Sequence, residues 1–452
     1  MTLDAQAAAP PEPVTRAQAF AWWLKLGFIS FGGPAGQIAV MHEELVARRR
    51  WISENRFLHA LNYCMVLPGP EAQQLAIYIG WLMHRTWGGI VAGTLFVLPS
   101  LLILIGLSWV YMAFGNVPVV AGLFHGIKPA VTALVVHAAW RVGTRALKNR
   151  WLVAIAVAAF GAIFALHAPF PLIVLAAGAL GHLGGRYAPD KFRVGGAHGA
   201  AATSYGPALI DDHTPTPAHG RFSVSRLRRV VASFLAIWGL AMSGLAVAFG
   251  RDAVLTQMGW FFTKAAWLTF GGAYAVLPYV YQGAVDHYQW LSAAQMIDGL
   301  ALGETTPGPL IMVVSFVGFV GGWTKAVFGV DSLLLSGAVA ATVVTFFTFL
   351  PSFFFILVGA PFIESTHGKL KFTAPLTGIT AAVVGVIANL AVFFAWHVLW
   401  PRGLDGPFEW ASALIGLAAA VALFRFKLGV IPTLLASGLA GLAFTLAKAS
   451  LG

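Results

Sequence analysis

Lys25-Leu-Gly-Phe-Ile-Ser-Phe-Gly-Gly33 opens a stretch that continues through Trp51-Ile-Ser53 to Pro68-Gly-Pro70, and the stretch occurs twice. The second copy starts at Lys264 and carries Thr269-Phe-Gly-Gly272, Trp290-Leu-Ser292 and Pro307-Gly-Pro309. A constant shift of 239 residues aligns the copies without a gap, and 11 of the 46 positions from Lys25 to Pro70 are identical. The matches include lysine, tryptophan and five glycine or proline residues, types that rarely coincide by chance. The chain therefore reads as an internal duplication. Farther on, Leu98-Pro-Ser100 returns as Leu350-Pro-Ser352 and Gly126-Ile127 as Gly378-Ile379, now 252 residues apart. The second copy has thus gained 13 residues near 323–336.

The surroundings of these motifs are apolar. Of 452 residues 58% are hydrophobic and 10% charged, against about 25% charged in a soluble domain. Runs at 90–111, 117–139, 151–166, 230–249, 333–358, 374–398 and 431–448 approach or exceed the roughly 18 apolar residues of a membrane span. Only closed hydrogen-bond systems survive in lipid, and apolar runs this long favour helices over a barrel. The expectation is an all-α polytopic membrane protein built from two structural repeats with broken or re-entrant helices, in roughly 10–13 membrane segments. The net charge of +11 sits largely in a few arginine-rich loops, as membrane orientation requires, and does not call for nucleic acid. The single Cys64 allows no internal disulfide and no metal cluster.

Residues 1–15 form an Ala/Pro-rich stretch, read as a disordered cytoplasmic tail and not a signal peptide. The first repeat is expected at 16–185, a flexible basic cytoplasmic linker at 186–229, a linking span at 230–256 and the second repeat at 257–452. The first copy's loop carries Arg48, Arg49, Arg50 and Arg56, whereas the matching 282–295 carries Asp286 and no lysine or arginine. Unlike charge in equivalent loops argues for opposite membrane sides and predicts inverted repeats.

The chemistry-bearing positions follow from the breaks. Phe31-Gly-Gly-Pro34 predicts a broken helix or a hairpin. Each Pro-Gly-Pro, at Pro68, Gly69, Pro70 and at Pro307, Gly308, Pro309, either kinks a helix or opens a half-helix at membrane depth. A half-helix start exposes unpaired N–H groups and a positive dipole end that can hold an anion. Gly32, Gly33, Gly271 and Gly272 either let helices touch or let backbone approach a ligand. Lys25 and Lys264 each cost about 2.5–3.5 kcal/mol inside lipid, unless they snorkel to headgroups. In an inverted repeat their ammonium groups would approach the midplane from opposite sides, which suits a doubly charged oxyanion. Thr305 and Thr306 could donate hydroxyl hydrogen bonds. Glu71, Asp298 and Glu304 are intramembrane carboxylates that could carry a coupling proton, or serve as structural partners. Glu304, three residues before Pro307, is the first choice, with a pair to Lys264 as the structural alternative. His125, His137 and His397 read as packing or surface residues. No metal or cofactor is expected. Neither His-Glu-x-x-His nor Gly-x-Ser-x-Gly is present, which argues against an intramembrane enzyme.

Phe-Gly-Gly-Pro at 31–34, Arg48-Arg49-Arg50-Trp51, Leu67-Pro-Gly-Pro70, Thr269-Phe-Gly-Gly272 and Thr305-Thr-Pro-Gly-Pro309 together resemble the chromate ion transporter family, in its long, two-domain form. The resemblance runs from about residue 19 to residue 448. It implies antiparallel halves and chromate efflux across the bacterial inner membrane, conferring chromate resistance. It also implies proton-motive force as the proposed driver and sulfate as a competing analogue. The chain departs from the family pattern at Gln37, where many members have His, and at Glu71-Ala72-Gln73, where Ser or Thr often follows the first Pro-Gly-Pro. The reading is a secondary transporter of tetrahedral divalent oxyanions, chromate first. An uptake or exchange carrier for sulfate or another oxyanion and an anion channel are the alternatives. Direction stays open at this point, as does assembly, for which a homodimer is one option.

Overall fold

The computed structural model of the chain describes residues 11–115, 117–192, 205–215, 217–270, 272–365, 373–403 and 405–451. Residues 1–10 of the expected tail, 193–204 of the expected linker and Gly271 lie outside them. The first half runs α1 Arg16–Ile29, α2 Gly33–His42, α3 Glu54–Cys64, α4 Glu71–Phe114, α5 Pro118–Ala146, α6 Arg150–Leu166, α7 Phe170–Tyr187 and the short α8 Pro189–Phe192. Next come α9 Val224–Phe249, α10 Val254–Trp267, α11 Ala273–Tyr281, α12 Ala293–Thr305, α13 Val313–Thr324, α14 Leu333–Ser365, α15 Thr373–Leu399, α16 Trp410–Phe424 and α17 Val430–Leu451. Among the described residues six helical stretches are long and apolar enough to cross a membrane: Glu71–Phe114, Pro118–Ala146, Val224–Phe249, Val330–Glu364, Ala374–Leu399 and Val430–Lys448. The protein is an all-α polytopic membrane protein, and its remaining apolar helices are shorter or broken.

The two copies repeat each other in backbone detail. Breaks at Phe31-Gly32 and, over the described residues, at Phe270 and Gly272 separate α1 from α2 and α10 from α11. A π-helical turn follows at Glu43–Arg48 and again at Gln282–His287. Arg50 and Gln289 both turn left-handed with φ 51°. Ser53 and Ser292 then cap α3 and α12 through the amides of Arg56 and Gln295, each satisfying an N–H that the helix start leaves open.

After the first Pro-Gly-Pro, α4 is not a straight rod. His84 and Arg85 leave helical geometry, Arg85 with φ 59°. The chain folds back so tightly that a Cβ on Gly80 would stand 2.5 Å from the Gly88 carbonyl oxygen. Two small residues permit that approach. The result is a short half-helix paired with a long arm. In the second copy α13 and α14 make the same pair, joined by the longer connection where the additional residues fall. The half-helix reading of both Pro-Gly-Pro turns matches this geometry.

The halves interlock. The hairpin of α6 and α7 packs on α15 of the second half, and α16 and α17 pack on α5 of the first. Glycines make the contacts possible. A Cβ on Gly126 would lie 1.9 Å from the Ser437 carbonyl oxygen of α17, and one on Gly378 2.4 Å from the Ala177 carbonyl oxygen of α7. These are the two glycines already paired by their 252-residue spacing.

The segment expected as a flexible linker holds a docked strap over its described residues 205–215 and 217–223. Ile210 pairs with Ile52 in a parallel bridge. The Asp212 carboxylate accepts hydrogen bonds from Ser53 Oγ at 2.5 Å and Asn55 Nδ2 at 2.6 Å. Arg56 donates to the Thr214 carbonyl at 2.6 Å and His219 to the Trp81 carbonyl at 3.1 Å.

Candidate functional site

Each Pro-Gly-Pro turn closes on the break of the other copy. The Gly69 amide donates to the Thr269 carbonyl at 2.8 Å, and the Gly308 amide donates to the Ser30 carbonyl at 2.9 Å. Ser30 and Thr269 are equivalent residues immediately before the two Phe-Gly-Gly motifs. Because α1 and α10 stop there, their last carbonyls have no helical partner and are free to accept. Gly69 and Gly308 adopt φ 123° and 101°, conformations that side-chain-bearing residues rarely adopt. Ser352 stands behind Gly69 and Ser100 behind Gly308, so the two Leu-Pro-Ser motifs also exchange between copies.

The crossing at Gly308 is the more polar. Gln37 Nε2 donates to the Gly308 carbonyl at 2.5 Å and to the Ser30 carbonyl at 3.3 Å. At the other crossing Gln74 Nε2 donates to the Pro68 carbonyl at 2.7 Å. Among the described residues Ser30 Oγ, Ser100 Oγ, Gln37 Oε1, Gln73 Oε1 and Gln74 Oε1 are buried without a hydrogen-bond partner. Each such orphan costs about 1–3 kcal/mol, so this group of residues carries unmet hydrogen-bonding capacity.

Several sequence expectations need correction here. The amides of Gly69 and Gly308, expected to face an anion, are engaged by backbone carbonyls. Pro70 and Pro309 supply no side-chain cap, so the open donors are the amides that follow, at Glu71, Ala72 and Gln73 and at Leu310 and Ile311. The Thr305 and Thr306 hydroxyls donate to the Leu302 and Gly303 carbonyls of their own helix, at 2.9 and 3.1 Å. Lys25 and Lys264 are exposed, with Lys264 Nζ 5.8 Å from the Trp260 ring centre, and neither enters the buried crossings. Gly32, Gly33 and Gly272 turn with φ 84°, 66° and 96°, which is why glycine stands there; Gly271 is not described.

The carboxylates fall into separate clusters. Glu304 accepts a hydrogen bond from Tyr274, not from Lys264, and Arg141 of α5 acts on it electrostatically. Asp298 accepts a hydrogen bond from Tyr111 at 2.8 Å and pairs with Lys128 at 3.3 Å. Glu71 is half-buried in the first turn of α4. A third cluster was not foreseen: Arg56 pairs with Glu364 at 3.6 Å, and Tyr78 donates to the same carboxylate. Lys128 was also missed, although a lysine inside the apolar run 117–139 is a signal that sequence reading can use.

The comparisons with known proteins agree with this architecture. A family model described as chromate transporter matches two separate regions, residues 17–182 and 256–442, which divide the chain as the duplication does. A chromate transport protein of Pseudomonas aeruginosa is 34% identical over 445 residues, covering 97% of this chain and 94% of that protein. A chromate transport protein of Cupriavidus metallidurans is 30% identical, covering 91% of this chain and 89% of that protein. A probable chromate transport protein of Synechococcus elongatus is 29% identical, with 90% and 89% covered. No significant match to a solved structure was found. With both halves matched by one family description and relatives aligned over almost their whole length, the chain belongs to the chromate transporter family.

Proposed function

We propose that this protein is a secondary transporter that exports chromate, a tetrahedral divalent oxyanion, across the bacterial inner membrane and thereby confers chromate resistance. Family membership supports the substrate. The observation that carries the mechanism is the reciprocal crossing of Gly69 with Thr269 and Gly308 with Ser30, surrounded by unpartnered buried hydroxyl and amide groups. Ser30 and Ser100 would donate to the oxyanion, and the open amides after Pro70 and Pro309 would add the positive ends of two half-helices. Lys25 and Lys264, one turn before each break, would raise the local anion concentration from exposed positions. A carboxylate beside the route, Glu71, Asp298 or Glu304, would carry the coupling proton. The unlike charges of the equivalent loops support inverted copies, and alternating access would come from one copy rocking against the other.

Direction has a simple test. Cells producing the protein should accumulate less labelled chromate than control cells, and excess sulfate should reduce the difference. Greater accumulation would turn the reading into an uptake carrier.

A further inference from the structure

We propose that Lys128 and Asp298 form an exchangeable charge pair that makes oxyanion and proton travel together, an inference that rests on the oxyanion-carrier reading above. Lys128 lies inside α5, about 15 Å of helix rise from its start. Its ammonium stands 3.3 Å from Asp298 Oδ2, and the Lys128 side chain is 31% exposed where that of Asp298 is 2% exposed. One partner therefore reaches the protein surface and the other is enclosed by the fold. Asp298 Oδ1 has no hydrogen-bond partner among the described residues, so the carboxylate is only half satisfied.

The surroundings let the pair open. Pro129, next to Lys128, removes one helical hydrogen bond from α5. Asp298 lies on α12, which ends just before the Pro-Gly-Pro turn whose Gly308 meets Ser30. Asp298 stands about 10 Å of helix rise before the end of α12 at Thr305. Tyr111, at the far end of the arm that carries Ser100, donates to the same oxygen of Asp298 that Lys128 approaches.

The titratable groups facing Asp298 are Lys128 from α5 and Tyr111 from α4. The other elements packed against α12 include α13, α15 and α17. Helix α13 carries no titratable residue, and His397 of α15 is held by the Phe393 carbonyl. On α17 the charged residue is Lys448, in the last turn of that helix.

The exchange balances as follows. When the Asp298 carboxylate takes a proton it becomes a neutral acid, and the Lys128 ammonium loses its counter-ion. That ammonium, still charged, then pairs with an oxyanion arriving from the aqueous side. When the proton leaves, the carboxylate reclaims Lys128 and displaces the oxyanion. Anion and proton thus bind together and leave together, and a dianion moves with a net charge of −1. Inside-negative potential drives that species outward, while a proton gradient directed inward opposes its exit.

The test is labelled chromate and sulfate flux in proteoliposomes containing the full chain. Wild-type flux should rise when the substrate side is acidified. Asp298→Asn, which mimics the protonated acid, should still carry anion but lose that dependence. Lys128→Gln should raise KM about ten- to a hundredfold, the loss expected for one charge-assisted hydrogen bond. If a single variant fails to reach the membrane, the neutral pair Lys128→Gln/Asp298→Asn leaves no lone buried charge and is measured instead; weak, pH-independent flux supports the proposal. Wild-type pH dependence in Asp298→Asn or in the double variant overturns it. Absence of flux of either anion in the wild type rejects the carrier reading itself, and the pair is then only structural.

Discussion

At the scale of single residues, two glycines hold the centre together. Gly69 and Gly308 combine positive φ with no room for a side chain. A Cβ on Gly69 would stand 2.7 Å from Ser352 Oγ, and one on Gly308 2.7 Å from Ser100 Cβ. Left-handed strain costs about 1–2 kcal/mol and overpacking about 1–3 kcal/mol. Gly69→Ala and Gly308→Ala should each destabilise the detergent-solubilised protein by roughly 2–5 kcal/mol in denaturant unfolding; unchanged midpoints would remove the crossings as structural keystones. The lysines lie at the other extreme. Exposed charges acting through water contribute about 0.2–1 kcal/mol, so Lys25→Gln and Lys264→Gln should each lower chromate flux up to about fivefold while membrane insertion stays intact. The glycines were legible in the sequence because they repeat at a fixed spacing. Ser30 and Ser100 were not, since small polar residues in an apolar run look like helix packing until the partner from the other copy is known. Lys128 was visible but its partner was not: Asp298 lies 170 residues away, and only the interlock of the halves brings them together.

At the scale of elements, the strap across the basic loop has its own pH response. Burial works against the charge of Asp212, but hydrogen bonds from Ser53 and Asn55 and the nearby Arg56 outweigh it and hold the carboxyl below the usual carboxylate range. Its docking contribution is complete above the ordinary aspartate value of about 4 and is lost as pH falls through the lowered one. His219 responds earlier. Burial pushes it down from the usual histidine range, so the docked form is neutral and the released form binds more protons. Docking is therefore strongest above about pH 6.5 and weakens as pH falls below that value. Protection of the strap amides, taken relative to the intrinsic exchange rate at each pH, should fall first just below about pH 6.5 and again below about pH 4, and His219→Gln should abolish only the first step. Protection independent of pH would show that neither group holds the strap. Composition alone pointed to a flexible linker here, because Gly, Pro and Thr say nothing about an edge such as Ile52 waiting for a bridge. The fractured helices were far more legible, since proline and glycine dictate backbone geometry locally.

At the scale of the whole molecule, three kinds of long-range contact come in exchanged pairs. Each Pro-Gly-Pro turn meets the other copy's break, each Leu-Pro-Ser motif backs the other copy's turn, and each terminal hairpin packs on the other copy's central helix. Neither copy can move without remaking contacts with its counterpart, which is what the proposed rocking between two access states would require. The polar guest that such a centre would carry is best tested by labelled chromate flux into proteoliposomes, comparing wild type with the Ser30→Ala/Ser100→Ala variant. The account predicts saturable wild-type flux that unlabelled sulfate inhibits, and a loss of at least about tenfold in the variant with its fold intact. Equal flux in the two proteins would contradict it.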